Sequence, residues 1–116
     1  MSESFEPYIR YAREVSSYLA RYREIAGRVK EIVRRVYPQA EVYVFGSLPA
    51  GRATALSDID LLIVADEQCE EGNLKIRVQV LRELGFGAPV ELHFATKRKL
   101  EAWYKRFIGE GGLEKV

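Results

Sequence analysis

Two neighbouring strand patterns, joined by a loop of small residues, constrain this chain more than any other feature. Residues 41–45 are mostly β-branched or aromatic, Gly46-Ser47 follow them, and after ten more residues Asp58-Ile59-Asp60 opens an apolar run. Side chains at i and i+2 of a strand share a face, so Asp58 and Asp60 are predicted to lie side by side. Adjacent carboxylates repel each other unless a cation lies between them. The pattern therefore predicts a divalent cation site, and Mg²⁺ suits such hard oxygen ligands.

The same carboxylates also have an ordinary explanation, which the residues alone leave open. Asp58 could be the polar start of a strand, and Asp60 could be an exposed residue at a sheet edge. The following residues 61–64 are all apolar, however. A carboxylate that enters a buried strand needs a partner, because an unpaired buried charge is costly. This context favours the cation site.

A third acid lies further along the chain. Residues 90–95 alternate as a strand, with Glu91 and His93 on one face. If this strand lies beside the one that carries Asp60, Glu91 can join the pair. Glu91 could equally face solvent on an edge strand, and His93 is more often a hydrogen-bonded structural residue than a ligand.

The N-terminal third has an apolar stripe at heptad spacing, which includes Val15, Tyr22 and Val29. This stripe predicts one helix of ~30 residues, roughly 45 Å long, that ends at Tyr37-Pro38. Gly27 is the expected place for a bend or a split. The helix either covers the sheet, or one end projects and packs on a second copy or on a partner protein.

The remaining segments complete an α+β pattern. Residues 74–84 fit both a strand and a helix, and Gly85 at a C-cap position favours the helix. Thr96 is predicted to cap a last helix. We expect a single domain over 1–116, with an N-terminal helical segment (1–38), a catalytic α/β core (41–108) and a tail (109–116).

Composition narrows the classes of function. The chain has 116 residues, net charge +1, one Cys and one His. A Cys/His zinc site is therefore not expected, and neither is a strongly basic nucleic-acid surface. There is no signal-peptide pattern and no apolar run long enough to span a membrane. A single Cys fits a reducing compartment, so a cytoplasmic location is expected.

The Gly-Ser, ten-residue gap and Asp-x-Asp together resemble the signature of the minimal nucleotidyltransferases, the smallest members of the DNA polymerase β-like superfamily. The resemblance implies a small mixed sheet flanked by helices, with a two-metal Mg²⁺ site held by Asp58, Asp60 and Glu91. It also implies that Gly46 and Ser47 hold the nucleotide phosphates. Arg52, the nearest downstream Arg, could contact the triphosphate, or it could be exposed and unpaired.

The resemblance further implies a function. Many minimal nucleotidyltransferases resemble the antitoxin of a pair whose toxin is a helical HEPN-type RNase. By that resemblance the chain would transfer AMP from ATP to a hydroxyl on this partner. The alternative is a binding module that blocks the RNase sterically through the Tyr-rich N-terminal helix. A small-molecule nucleotidyltransferase is less favoured, because such enzymes usually carry a second domain for the acceptor.

Overall fold

A computed structural model of the chain describes residues 5–46, 58–104 and 112–116. In chain order, the elements are α1 (Glu6–Ala20), α2 (Tyr22–Val36), β1 (Glu41–Phe45), β2 (Ile59–Val64), α3 (Glu70–Leu84), β3 (Val90–Ala95), α4 (Lys97–Lys99), a π-helical turn (Leu100–Tyr104) and β4 (Leu113–Lys115). None of the helices within these ranges is long and apolar enough to cross a membrane.

The four strands form one mixed sheet in the order β3-β2-β1-β4. β1 pairs antiparallel with both β2 and β4, whereas β2 and β3 are parallel. A parallel pair needs a crossover connection, and α3 supplies it. The structure confirms the predicted α+β fold with a small mixed sheet and helices.

One face of the sheet, here called the core face, packs against α2 and α3. Its residues on β1, β2 and β3 are all apolar, and they include Val42, Leu61 and Ile63, each at most 1% exposed. From the helices, Val29 and Ile76 are fully buried against them. Burial of this apolar surface is the main stabilising contribution to the fold.

The opposite face, here called the site face, carries the alternate residues of the same strands. Leu62 and Val64 pack there with Ala95 and Leu100 in a smaller apolar cluster. Toward the start of β2 and β3, the same face carries Asp60, Glu91 and His93 in place of apolar residues. Strand alternation thus separates a fully apolar surface from one that is part apolar and part polar.

The predicted single N-terminal helix is wrong in one respect, because two helices meet at Arg21. This residue has φ −115° and ψ 26°, outside the helical region. Gly27, the expected break, lies inside α2, and a Cβ built on it would meet nothing within 4 Å. The φ of Arg21 is negative, so the break does not require a glycine, and it leaves the apolar stripe intact. The predicted end is confirmed, since α2 stops at Val36.

The predicted tail over 109–116 is also wrong in part, because Leu113–Lys115 forms β4 at the edge of the sheet. Glu114 accepts a hydrogen bond of 3.0 Å from Nε of Arg23, and Nζ of Lys115 lies 2.6 Å from a carboxylate oxygen of Glu41. These two contacts hold the end of the described chain against α2 and β1. A strand of three residues is too short to show an alternating pattern in a sequence, so β4 could not be predicted from such a pattern.

Candidate active site

The candidate site begins at Asp60, the second residue of β2. Asp60 is paired in register with Phe45 on β1 and with Glu91 on β3. Parallel register places Asp60 and Glu91 side by side on the site face. The side chain of Asp60 is 26% exposed and that of Glu91 is 56% exposed. Both carboxylates therefore remain accessible to a ligand that arrives on this face.

Gly46 lies directly against Asp60. It follows β1 in a left-handed conformation with φ +85°, and a Cβ built on it would lie 2.8 Å from Oδ2 of Asp60. Its N–H donates a hydrogen bond of 3.3 Å to the carbonyl of Gly112, just before β4. Glycine is required here for two reasons, the positive φ and the close approach to the carboxylate.

His93 completes the cluster. Its Nε2 lies 3.6 Å from Oδ1 of Asp60 and 3.6 Å from Oε1 of Glu91. The ring meets Phe45 edge to face, with 5.0 Å between the ring centroids. The Nε2 atom is buried and has no hydrogen-bond partner within the described parts of the chain. Buried polar atoms are almost always satisfied, so a ligand would supply the partner that this atom needs.

The electrostatics of the cluster centre on Asp60. Burial raises the pKa of the Asp60 carboxyl above its usual value, and the neighbouring Glu91 carboxylate raises this pKa further. His93 opposes the shift. Two carboxylates that repel each other in a partly buried site are stabilised by a cation between them. Perturbed acid groups of this kind are common where a protein does chemistry.

The donor set fits a divalent metal ion. One ligand atom each from Asp60, Glu91 and His93 can be chosen so that all lie within 4.8 Å of one another. The two carboxylates supply hard oxygen donors and the imidazole supplies a nitrogen donor. The unsatisfied Nε2 and the raised Asp60 pKa both describe a site that an ion would stabilise.

The structure brings together some of the predicted site residues and not others. Asp60, Glu91 and Gly46 are adjacent, as described above. Asp58 precedes β2 and is exposed, and it does not belong to the cluster of ligand atoms. The predicted phosphate contacts Ser47 and Arg52 lie outside the described residues.

His93 is the residue that sequence reasoning undervalued. Its position two residues after Glu91 was the available signal, because alternation puts both on one face of β3. The sequence could not show that the ring nitrogen would face Asp60 as well. That contact depends on the parallel register of β2 and β3, which pairs Leu62 with His93.

A small mixed sheet with helices on one face and a carboxylate cluster on the other is the architecture of the polymerase β-like nucleotidyltransferases. A family model described as the nucleotidyltransferase domain matches residues 26–115. The chain therefore belongs to this family, and the prediction of a nucleotidyltransferase is confirmed.

Solved structures agree with this assignment. One, of a protein assigned provisionally as a nucleotidyltransferase, is 29% identical with a TM-score of 0.60, over 78% of this chain and 95% of that one. A second such protein, from Sulfolobus solfataricus, is 24% identical with a TM-score of 0.56, over 91% and 84% of the two chains. A structure of a toxin-antitoxin with AMP-PNP is 17% identical with a TM-score of 0.53, over 78% and 70%. For the two structures that are less than 25% identical, the likeness shows the fold alone.

Proposed function

We propose that this protein transfers a nucleoside monophosphate, AMP from ATP, to a hydroxyl on a partner protein. The observation that carries the proposal is the cluster of Asp60, Glu91 and His93 beside the Gly46 turn on the site face. In this proposal Asp58, Asp60 and Glu91 hold two Mg²⁺ ions. Gly46, Ser47 and Arg52 contact the phosphates of the nucleotide.

The reaction is an in-line displacement at the α-phosphorus. The oxygen of the acceptor hydroxyl forms a bond to this phosphorus, the bond to the bridging oxygen of the β-phosphate breaks, and pyrophosphate leaves with that electron pair. Bound divalent ions would stabilise the negative charge that collects on the α-phosphoryl oxygens. Glu91, the most exposed member of the cluster, would accept the proton of the attacking hydroxyl.

We infer that the acceptor belongs to a HEPN-type helical toxin and that this chain is its antitoxin, acting in the cytoplasm. The support is the minimal nucleotidyltransferase signature, together with the fold shared with a toxin-antitoxin structure that contains AMP-PNP. A helix that presents aromatic residues to solvent would suit a protein acceptor. On α1 and just before it, Phe5, Tyr8, Ile9 and Tyr11 are between 45% and 73% exposed.

The test is transfer of label from α-labelled ATP to the protein encoded by the neighbouring gene. Mg²⁺ and Mn²⁺ are supplied in parallel reactions. We expect label on the neighbour with the wild-type protein and none with Asp58→Ala or Asp60→Asn. Glu71→Gln, on the exposed first turn of α3, is the matched control and should label normally. Full activity of Asp60→Asn would refute the assigned site.

A second candidate function rests on the same exposed residues of α1. The protein would then be a binding module that neutralises the partner sterically, with little or no catalysis. In this case Asp60→Asn should still neutralise the partner, whereas the double change Tyr8→Ser and Tyr11→Ser should abolish neutralisation. Arg10→Ser, an exposed polar change on the same helix, is the control. If a second copy covers this surface instead, sedimentation will show a homodimer that the double change dissociates.

A further inference from the structure

His93 is the only histidine of the chain, and its place in the site is set by the fold rather than by a flexible loop. It lies in the middle of β3, paired in register with the fully buried Leu62. Phe45, on β1, meets the ring in an edge-to-face arrangement. These neighbours leave Nε2 directed at the two carboxylates, where it is buried and has no hydrogen bond to any residue that the structure describes.

The two 3.6 Å separations exceed the usual length of a hydrogen bond, about 2.7–3.2 Å for a nitrogen donor. The imidazole is therefore close to both carboxylates without a hydrogen bond of ordinary length to either. Two ligands that each lie ~2.1 Å from one ion are at most ~4.2 Å apart. The separations of 3.6 Å from Nε2 fall within that limit, so one ion could contact Nε2 together with an oxygen of either carboxylate. The three ligand atoms all lie within 4.8 Å of one another.

We infer that His93 is itself a metal ligand and that the site consequently binds a first-row transition ion such as Mn²⁺ more tightly than Mg²⁺. The inference rests on the proposed function, whose metal site it specifies. Mg²⁺ takes oxygen ligands and is reluctant to lose its water, whereas imidazole nitrogen is a good donor to transition ions. A site of two oxygens and one nitrogen differs in this respect from one built only of carboxylates.

The decisive measurement is pulsed electron paramagnetic resonance of Mn²⁺ bound to the wild-type protein without nucleotide. A coordinated imidazole should produce a ¹⁴N modulation. Protein labelled with ¹⁵N only in histidine should replace this signal with the ¹⁵N pattern. Because the chain has a single His, the change in signal can come only from His93. This experiment needs no variant, so a folding defect cannot obscure it. Absence of the modulation, no effect of the label, or failure to bind Mn²⁺ would each overturn the inference.

Calorimetric titration of Mn²⁺ and Mg²⁺ tests the preference. We expect the wild-type protein to bind Mn²⁺ at least about tenfold more tightly than Mg²⁺. His93→Gln should weaken Mn²⁺ binding by about 10–100-fold, the range that even outer-shell partners of a metal contribute, and should change Mg²⁺ binding much less. Glu71→Gln should leave both affinities unchanged. Equal losses for the two ions in His93→Gln would contradict a ligand role.

The two proposals fail in different ways. If the histidine-specific signal is present but no acceptor becomes labelled, the inference about His93 stands and the proposed transfer is wrong. If AMP is transferred while bound Mn²⁺ shows no histidine coupling, the transfer stands and His93 is not a ligand.

Discussion

Strands β1, β2 and β3 contribute residues to both faces of the sheet, yet the two faces have different roles. On the core face, β2 contributes Ile59, Leu61 and Ile63, all fully buried beneath the helices. On the site face, the alternate residues begin with Asp60, which stands beside Glu91 and His93. Residues that stabilise the fold and residues that form the candidate site therefore alternate along the strand, because neighbouring side chains of a strand point in opposite directions.

The largest expected effect is on catalysis, from a change on the site face. Asp60→Asn should lower the rate of transfer by about 10³-fold. A bound metal supplies several kcal/mol of transition-state stabilisation, and each ~1.36 kcal/mol corresponds to a factor of ten in rate. The same change should leave the metal-free fold as stable as the wild type or more stable, since it removes a carboxylate that burial and Glu91 both disfavour. Single-turnover rates and thermal unfolding measure the two effects. A variant that is less stable than the wild type would contradict the separation of roles.

The converse change lies one residue away on the core face. Leu61→Ala should lower the free energy of unfolding by about 2–5 kcal/mol, through lost burial and the cavity that remains. Transfer activity per folded molecule should be retained, because Leu61 points away from the cluster. Leu74→Ala is the matched control, since Leu74 is 61% exposed and its truncation should cost less than about 0.5 kcal/mol. Urea denaturation measures all three proteins, and equal losses for the two leucines would refute the assigned core.

A smaller effect is expected at the Gly46 turn, which follows β1 and lies against Asp60. Gly46→Ala should destabilise the protein by about 1–2 kcal/mol, because φ is +85° and the new Cβ would crowd the Asp60 carboxylate. Metal affinity should fall as well. Gly27→Ala is an informative control, since it lies in α2 with open space around it and should stabilise the protein by about 0.4–1 kcal/mol. If both alanine variants are stabilised, the described conformation of Gly46 is wrong.

The smallest expected effect is the pH dependence that Asp60 confers on the metal-free protein. Its pKa is higher in the folded state than the ordinary value of 3.8, so the folded protein holds the proton more strongly than the unfolded chain. Asp60 therefore contributes stability at acidic pH, and this contribution is lost as the pH rises through the raised pKa. The wild type should lose stability relative to Asp60→Asn as the pH rises from about 3.8. Unfolding in the presence of a chelator tests this, and a constant difference across that range would contradict the raised pKa.

The sequence predicted most of the fold because most of its elements carry a strong local pattern. The alternation of residues 90–95 predicted β3, and the C-cap glycine at position 85 predicted the end of α3. The break at Arg21 had no such pattern, since no Gly or Pro marks it. β4 was missed because three residues cannot show a period, and its pairing partner lies about seventy residues earlier in the chain.

The candidate site was predictable in part for the same reason. Asp60 and Glu91 were identified from local motifs, and the parallel pairing of their strands brings them together. The approach of His93 to Asp60 was not predictable, because it depends on the register between two strands separated by a helix. Asp58 was predicted to share a face with Asp60 within a strand, but β2 begins only at Ile59.

The hydrogen bond from Gly46 to Gly112 also has a consequence for the order of folding. Helical contacts and the β2–β3 pairing span shorter stretches of chain than the β1–β4 pairing, and a shorter loop costs less entropy to close. The turn at Gly46 is joined to the strand at the far end, so its closure requires a loop of more than sixty residues. The turn at Gly46 would then be completed last. During refolding, helical signal should return before the Gly46 N–H becomes protected from hydrogen exchange.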